Sequence, residues 1–153
     1  MKNIHESKGR TVVVADNELL SQVKQLISEG HTVTIRVKGH SMRPLLENYR
    51  DTATICPFNT LQKGDIVLAE IFPTKFVLHR IIKIKNKQLT LMGDGNIKGV
   101  EQCTTDDVIG LVTSVSRKGK VWKANDFRWR LLKNIWPRLN PIRRYLLAIY
   151  KLG

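Results

Sequence analysis

The sequence predicts a mainly β fold: a curled antiparallel sheet or small barrel, preceded by one helix and followed by a basic helical tail. Residues 32–38 alternate apolar and polar side chains, a pattern typical of a half-buried strand. Beyond them, short apolar runs are separated by turn signals, which is typical of antiparallel sheets that close on themselves. These runs lie at 52–55, 66–71, 76–84, 88–92 and 108–115.

Three units are predicted along the chain, and the first, residues 1–30, contains one helix. Asp16 or Asn17 can cap its start, and Gly30 supplies a left-handed stop. Between them, five apolar residues recur at helical spacing, which favours packing of this helix against the sheet. They are Leu19, Leu20, Val23, Leu26 and Ile27. The second unit, residues 31–116, holds the predicted strands.

The third unit, residues 117–153, carries most of the positive charge of the chain. It has eleven Lys or Arg against one Asp, a net charge of +10, while the whole chain of 153 residues has a formal net charge of +13. A concentration of charge on this scale indicates a negatively charged partner, either lipid headgroups or nucleic acid. No nucleic-acid-binding motif accompanies the charge, so nucleic acid is the less favoured partner.

Two helices are predicted in this tail. Phe127, Leu131 and Ile135 mark one face of the first helix, and a second start signal follows at residues 140–141. One interpretation is a helical lid whose apolar face packs on the β-domain. The other is peripheral binding to an anionic membrane surface, with aromatic side chains at the interface. The aromatic candidates are Trp129, Trp136, Tyr145 and Tyr150.

The sequence also bears on compartment and cofactors. It has no run of about 18 apolar residues that could span a bilayer, so we expect a cytoplasmic protein whose membrane contact, if any, is peripheral at the inner face. Cys56 and Cys103 have no CxxC companion, which favours two buried thiols in a reducing compartment. The histidines, cysteines and acidic residues show no metal-ligand spacing, so we expect neither a metal nor a cofactor.

A candidate nucleophile follows the first predicted strand directly, in the run GHSMRP at 39–44. Gly39 allows a sharp backbone turn, and Pro44 is preset for a short helical turn. Ser41, held between them, is expected to lie exposed on a rigid bend. A serine on a turn is common, so this assignment depends on a partner base. The candidate substrate-binding residues are Gly39, His40 and Met42. We expect an extended peptide to add to the edge of this strand.

His79 is the candidate general base, since it stands in an otherwise apolar predicted strand at 76–84. Burial there favours the neutral imidazole that a base needs near pH 7. The alternative is a core histidine whose nitrogens bond the backbone. His40 is a poorer candidate, because adjacent side chains on an extended backbone point apart. Asp94, in a glycine-flanked turn at 93–96, either orients His79 or bonds its own turn.

Five motifs, in this order along the chain, resemble the S24/S26 serine peptidase family, which includes type I signal peptidases and the self-cleaving LexA-like proteins. They are GHSMRP at 39–44, KGDIV at 63–67, VLHRII at 77–82, GDGN at 93–96 and VIG at 108–110. The resemblance covers about residues 33–115 and implies the coiled, antiparallel signal-peptidase/LexA-like β-fold. It also implies that Ser41 is the nucleophile. His79 stands where many members have lysine, so the chain resembles the Ser-His branch of the family.

The chain also departs from the family pattern. The histidine branch commonly has a further acidic residue after the turn motif, and several acidic residues could take that place here. The candidates are Glu101, Asp94 acting alone, Asp106 and Asp107. Gly39 stands where many bacterial signal peptidases have a serine that helps to bind the oxyanion. The backbone N–H of Ser41 is then the expected donor.

Together these features predict a hydrolase, a serine endopeptidase of signal-peptidase-like type that cleaves a peptide or precursor protein through a Ser41–His79 dyad or triad. Two alternatives stay open. A LexA-like regulator would cleave itself, although the roughly thirty residues before the first predicted strand are too few for a helix-turn-helix domain. A catalytically silent descendant would bind peptides without cleaving them.

Overall fold

The computed structural model describes residues 5–7, 10–14, 17–72 and 75–152, and it confirms a mainly β fold with an N-terminal helix and C-terminal helices. In this part of the chain, ten strands form one sheet. The strands are β1 His5–Ser7, β2 Arg10–Val14, β3 Thr32–Arg36, β4 Thr52–Cys56, β5 Ile66–Phe72, β6 Lys75–Lys85, β7 Gln88–Met92, β8 Glu101–Thr104, β9 Val108–Arg117 and β10 Lys120–Lys123. The helices are α1 Asn17–Ser28, α2 Phe127–Ile135 and α3 Arg143–Leu152, with short 3-10 segments at Thr105–Asp107 and Trp136–Ile142.

Neighbouring strands follow the order β1-β2-β3-β4-β9-β5-β6-β7-β8, and β10 pairs with β9 off this path. Among the described pairings, that of β2 with β3 alone is parallel, and α1 forms the crossover that a parallel pair requires. The predicted strand at 32–38 corresponds to β3, and β1 and β2 are strands that the sequence does not predict. In β2, with the sequence RTVVV, the apolar residues are consecutive and show no alternating period.

Helix α1 packs on the sheet as its apolar spacing predicts. Leu19, Leu20, Val23 and Ile27 are buried in one core cluster with residues of β3 and β4. The helix ends where Gly30 adopts φ +91° and donates its N–H to the carbonyl of Ile27 at 3.0 Å. The candidate cap Asp16 lies outside the described residues.

Both faces of the sheet are covered by other side chains at strand β5. Ile66 and Leu68 belong to the first core cluster, together with α1, whereas Val67 and Ala69 belong to a second cluster with residues of β6, β7 and β8. This division follows from the alternation of side chains along a strand. Register shifts within the pairings of β4 with β9, β5 with β9 and β6 with β7 are bulges that let the sheet curl.

Helix α2 of the tail packs on the sheet through a different face from the one that its apolar spacing predicts. Trp129 is only 4% exposed and joins the first core cluster, and Lys133 of the same helix bonds Asp65 at 2.8 Å. Phe127 is 71% exposed, and Leu131 and Ile135 are exposed with it. Trp136 is buried as well, which agrees with a tail packed on the β-domain and contradicts the alternative that places these two tryptophans at a membrane. A buried indole removes more apolar area from water than an aliphatic side chain does, which favours this face.

The described residues contain no helix long and apolar enough to cross a bilayer. Cys56 and Cys103 are both free thiols. Burial raises the pKa of Cys103 to about 11, so this thiol stays protonated near neutral pH. Within the same ranges, no group of three or more His, Cys, Asp or Glu side chains could hold a metal ion.

Candidate active site

A cleft of about 730 Å³ is lined by the loop after β3, the first half of β6 and the start of β8. Ser41, His79 and Glu101 all line it, and so does Asn96. Much of its remaining wall is apolar and comes from Leu20, Ile35, Val37, Met42, Leu68 and Phe76. An apolar cleft with a few convergent polar groups is typical of a substrate site.

The loop that carries Ser41 is fixed on both sides of the serine. Gly39 has φ +95°, a left-handed conformation that favours glycine, and its N–H donates to Asn48 Oδ1 at 2.7 Å. Met42 is buried in the first core cluster, and its carbonyl accepts the N–H of Leu46 at 2.9 Å. The bend therefore presents Ser41 to the cleft while its neighbours hold the backbone in place.

A turn at residues 93–96 supports this loop from behind. The N–H of Gly95 donates to the carbonyl of Ser41 at 2.7 Å. A Cβ atom at Gly93 would lie 2.3 Å from the same carbonyl oxygen, and one at Gly95 would lie 2.6 Å from the carbonyl oxygen of His40. The two backbones meet so closely that only glycine fits at either position.

His79 on β6 and Glu101 on β8 form a hydrogen-bonded pair. His79 Nδ1 lies 2.8 Å from Glu101 Oε2, and the histidine is 6% exposed. The two strands are separated by β7, whose pairing with β6 begins at Arg80, one residue past His79. The Glu101 side chain therefore reaches His79 around the end of β7. Because an ionised carboxylate only accepts hydrogen bonds, Nδ1 donates, and Nε2 is left to accept a proton.

Asp94 has a different partner from the one expected. Its two carboxylate oxygens accept from Arg80 Nε at 2.7 Å and Arg80 Nη2 at 2.6 Å, and both side chains are buried. Arg80 also donates to the carbonyl of Gly64 at 2.8 Å. The prediction that Asp94 bonds His79 is therefore wrong. Glu101, the alternative acid, makes that bond. Successive side chains on β6 point to opposite faces, so Asp94 meets Arg80 instead of His79.

The other two acidic candidates lie elsewhere. Asp107 accepts the N–H of Thr104 at 2.8 Å and so caps the short 3-10 segment that follows β8. Asp106 is exposed and lines other clefts, not the one that holds His79. Glu101 is thus the acidic residue that the fold brings to the histidine.

The three candidate substrate-binding residues occupy different environments in the structure. Met42 lines the cleft, whereas Gly39 shapes the turn and His40 lies 3.5 Å from Glu47 on an exposed surface. The expected peptide-binding edge of β3 is also wrong, because β2 pairs with β3 on one side and β4 on the other. An open edge lies instead on β6, where residues 75–79 pair with β5 and no described strand pairs on the other side.

The tail contributes support that the sequence did not predict. Trp136 Nε1 donates to the carbonyl of Asp94 at 2.9 Å, and Arg143 donates to the carbonyls of Asn96 at 3.1 Å and Trp136 at 3.0 Å. Arg143 is buried, and burial lowers its pKa. In the sequence, Arg143 is one of many tail arginines, so no local signal separates it from those in solvent.

Glu47 connects the Ser41 loop to the last helix. Its carboxylate accepts three hydrogen bonds from Arg43 at 2.7–3.0 Å and one from Tyr150 at 3.1 Å. The bonds from Arg43, with others from the Asn48 N–H and Tyr150, lower the pKa of Glu47 from 4.5 to about 2. Tyr150 is thus half-buried, and its hydroxyl contacts the loop that carries Ser41 through Glu47.

We expect Glu47→Gln to make stability less dependent on acid pH. The pKa of Glu47 in the folded protein lies below its value in the unfolded chain. Its contribution to the stability of the fold is therefore present above pH 4.5 and is lost as the pH falls towards about 2. The side chain is partly exposed, so we expect the free energy of unfolding near neutral pH to fall by only about 0.5–1 kcal/mol. Urea unfolding at a series of pH values measures this. Glu29→Gln, a change at an exposed carboxylate, is the control. Equal slopes for wild type and Glu47→Gln below pH 4.5 would contradict the prediction.

Comparison with known families gives one match. A family model described as Peptidase S24-like matches residues 5–112, which include Ser41, His79, Asp94 and Glu101. The tail helices lie beyond the matched residues. No curated protein matches the chain.

Proposed function

The chain belongs to the Peptidase S24-like family, and we propose that it is a serine endopeptidase that uses Ser41, His79 and Glu101. The observation that carries this proposal is the 2.8 Å hydrogen bond between His79 and Glu101 in a cleft that Ser41 also lines. A nucleophile, a base and a group that orients the base are the parts that acyl transfer through serine requires.

In the proposed reaction, His79 Nε2 accepts the proton of the Ser41 hydroxyl as the oxygen attacks a peptide carbonyl. The tetrahedral intermediate collapses when the resulting imidazolium protonates the leaving amine, which breaks the C–N bond. Water then attacks the acyl-serine with His79 again as base, and the second product leaves as a carboxylate. Glu101 holds the tautomer with Nε2 free and stabilises the imidazolium that forms in each half of the reaction.

Two donors are available in the proposal for the oxyanion. The backbone N–H of Ser41 makes no hydrogen bond within the described residues. The Asn96 amide is the second donor in the proposal, since Asn96 lines the same cleft as Ser41 and both side chains lie close to Gly93. Asn96 thereby compensates for Gly39, where a serine donor is absent. Donors of this kind contribute by stabilising charge that appears only in the transition state.

The substrate in this proposal is an extended peptide. Residues 75–79 of β6 have an open edge and line the cleft, so a peptide can add there as a further strand with its scissile carbonyl near Ser41. Apolar side chains of the peptide would contact the apolar wall at Ile35 and Phe76. Cleavage of a separate peptide or precursor is the favoured activity, and self-processing is the alternative.

A peptide library tests both. Wild-type protein, Ser41→Ala and the control Ser28→Ala are incubated with a mixture of unfolded peptides, and new termini are identified by mass spectrometry. We expect the same new termini from wild type and Ser28→Ala, and none from Ser41→Ala. Termini that survive in Ser41→Ala would contradict the proposal. Intact mass of the purified chain, followed over the same time, distinguishes the alternatives. A Ser41-dependent loss of mass in the chain itself, without peptide cleavage, would identify self-processing.

A further inference from the structure

The exposed apolar side chains of this protein are concentrated in its tail. Among the described residues, eight of the twelve large hydrophobic residues that lie exposed fall between Val121 and Leu152. Single exposed apolar residues are ordinary, but a concentration of them in one segment indicates a surface that binds something.

Helix α2 carries one part of this surface. Phe127, Leu131 and Ile135 are four residues apart, so they share one face of the helix, and all three are exposed. The other side of the helix holds Trp129, which is buried in the core. The helix is therefore apolar on two faces, and the sheet covers only one of them.

Helix α3 repeats the arrangement. Ile142, Tyr145, Ile149 and Leu152 follow a spacing of three or four residues and are exposed, with Leu152 at 89%. Arg143 and Leu147 on the other side are buried. We call the two sets together the apolar stripes: Phe127, Leu131 and Ile135 on α2, and Ile142, Tyr145, Ile149 and Leu152 at and along α3.

Cationic side chains accompany the apolar stripes. Arg130, Arg138 and Lys151 are exposed, and no ion pair in the described part of the chain neutralises them. Residues 117–153 as a whole carry a net charge of +10. Apolar side chains beside unpaired cations are the combination that binds helices in the plane of an anionic lipid surface.

We propose that the apolar stripes of α2 and α3 dock the protein on an anionic membrane surface. A second copy of the chain is the less favoured occupant, because a self-complementary contact would bring two segments of charge +10 together. Nucleic acid is also less favoured, since its phosphates reward cations but not exposed Leu and Ile side chains. The membrane contact uses aliphatic residues, with Tyr145, and not the buried tryptophans.

Vesicle co-sedimentation tests this surface. The probes are vesicles of equal parts phosphatidylglycerol and phosphatidylcholine, and vesicles of phosphatidylcholine alone. The apolar variants are Leu131→Ser with Ile135→Ser, and Ile149→Ser with Leu152→Ser, and the charge variant is Arg138→Gln with Lys151→Gln. Ile84→Ser, which changes an exposed apolar residue on β6, is the matched control. Circular dichroism of each variant confirms that it is folded.

We expect wild type and Ile84→Ser to bind the anionic vesicles and to bind the neutral ones at least about tenfold more weakly. Each apolar variant loses about tenfold in binding to anionic vesicles. The charge variant loses a similar factor at low salt, and the difference between it and wild type shrinks at high salt. Ser41→Ala binds as wild type does, so the docking result is independent of the proposed catalysis.

Two results would overturn the proposal. One is binding to anionic vesicles that the charge variant weakens and the apolar variants do not, since that describes a basic patch without apolar insertion. The other is the absence of binding to anionic vesicles, whatever the oligomeric state. A dimer in sedimentation velocity that the apolar variants convert to a monomer would then assign the apolar stripes to a second copy of the chain.

Discussion

We expect replacement of His79 by alanine to lower the rate of the proposed peptide cleavage by at least about 10³-fold, because the Ser41 hydroxyl would lose the base that accepts its proton. The loss is expected in kcat, since in the proposed mechanism His79 acts on the reacting atoms and not on the bound peptide at large. Steady-state kinetics on a peptide identified from the library measures it. A His79→Ala protein that retains more than about a tenth of the wild-type kcat would exclude His79 as the base.

Glu101 provides the finer test of the same site. Glu101→Gln leaves a side chain of the same size, but its amide can present either an oxygen or an NH₂ group to Nδ1, so the tautomer with Nε2 free is no longer held. We expect kcat to fall by about 10²–10⁴-fold while KM stays near the wild-type value. Glu101→Asp keeps the charge and loses less. Asp106→Asn, which changes a candidate acid that lies away from His79, serves as the matched control and keeps full activity.

Asn96→Ala in the same assay separates oxyanion binding from orientation of the base. Removing one such donor lowers kcat by about 10²–10³-fold. The hydrogen bond from Arg143 goes to the backbone carbonyl of Asn96 and is kept in this variant. Combining Asn96→Ala with His79→Ala should lower the residual rate further, since the catalysis that survives loss of the base comes from oxyanion binding and substrate positioning.

Asp94→Ala destabilises the protein by about 3–5 kcal/mol, because it leaves the buried guanidinium of Arg80 without its anion. Arg80 is 1% exposed, and Asp94 supplies two of its three hydrogen bonds. Urea unfolding gives the loss directly. The double variant Arg80→Met with Asp94→Ala recovers part of it, since no charge is then left buried.

This prediction also separates two roles for Asp94. If Asp94→Ala unfolds at the wild-type urea concentration and loses only cleavage, the residue belongs to the catalytic machinery, and its pairing with Arg80 is not its main role. If the variant is destabilised but cleaves peptides at low temperature, Asp94 is a structural residue. The second result is the one that the geometry favours.

Much of the fold could be predicted from the sequence, because most of its strands appear there as an alternation of apolar and polar residues or as a short apolar run. The strand pattern at 32–38, the helix that Gly30 ends and the central runs all follow from local periodicity. β1, β8 and β10 could not be predicted in the same way, since each has four residues or fewer and is defined by its partner strand. β2 could not be predicted either, because its apolar residues are consecutive and do not alternate with polar ones. Register in the sheet depends on those partners and on bulges, and neither is visible in local sequence.

The candidate site, like the fold, could be predicted from the sequence only in part. Ser41 and His79 could be predicted because the order of the motifs around them resembles the S24/S26 family, whereas a glycine-flanked bend or an apolar strand alone is common. The acidic partner could not, because the choice between Asp94 and Glu101 depends on which face of β6 each one meets. His79 and Arg80 are adjacent and point apart, so the two carboxylates divide between them. That outcome follows from the order β6-β7-β8 in the sheet, which the sequence does not reveal.

The tail illustrates a different difficulty. Its helices were predicted, but α2 has apolar residues on two faces, and periodicity alone does not say which face the sheet will cover. The buried face is the one that carries the tryptophans, because their side chains have the larger apolar area. One of the two interpretations of the tail places these rings at a membrane, because aromatic residues are common at interfaces, whereas in the structure Trp129 and Trp136 are buried.

The contacts of Trp136 and Arg143 with the turn at 93–96 bear on the smallest length of this chain that we expect to fold as one piece. The family match ends at residue 112, yet the indole and guanidinium that satisfy the carbonyls of Asp94 and Asn96 come from beyond it. Trp129 likewise belongs to the first core cluster. A fragment cut at the end of the matched residues would expose that core and lose those donors. We therefore expect the cooperative unit of this protein to be longer than its family signature and to extend into the last helix.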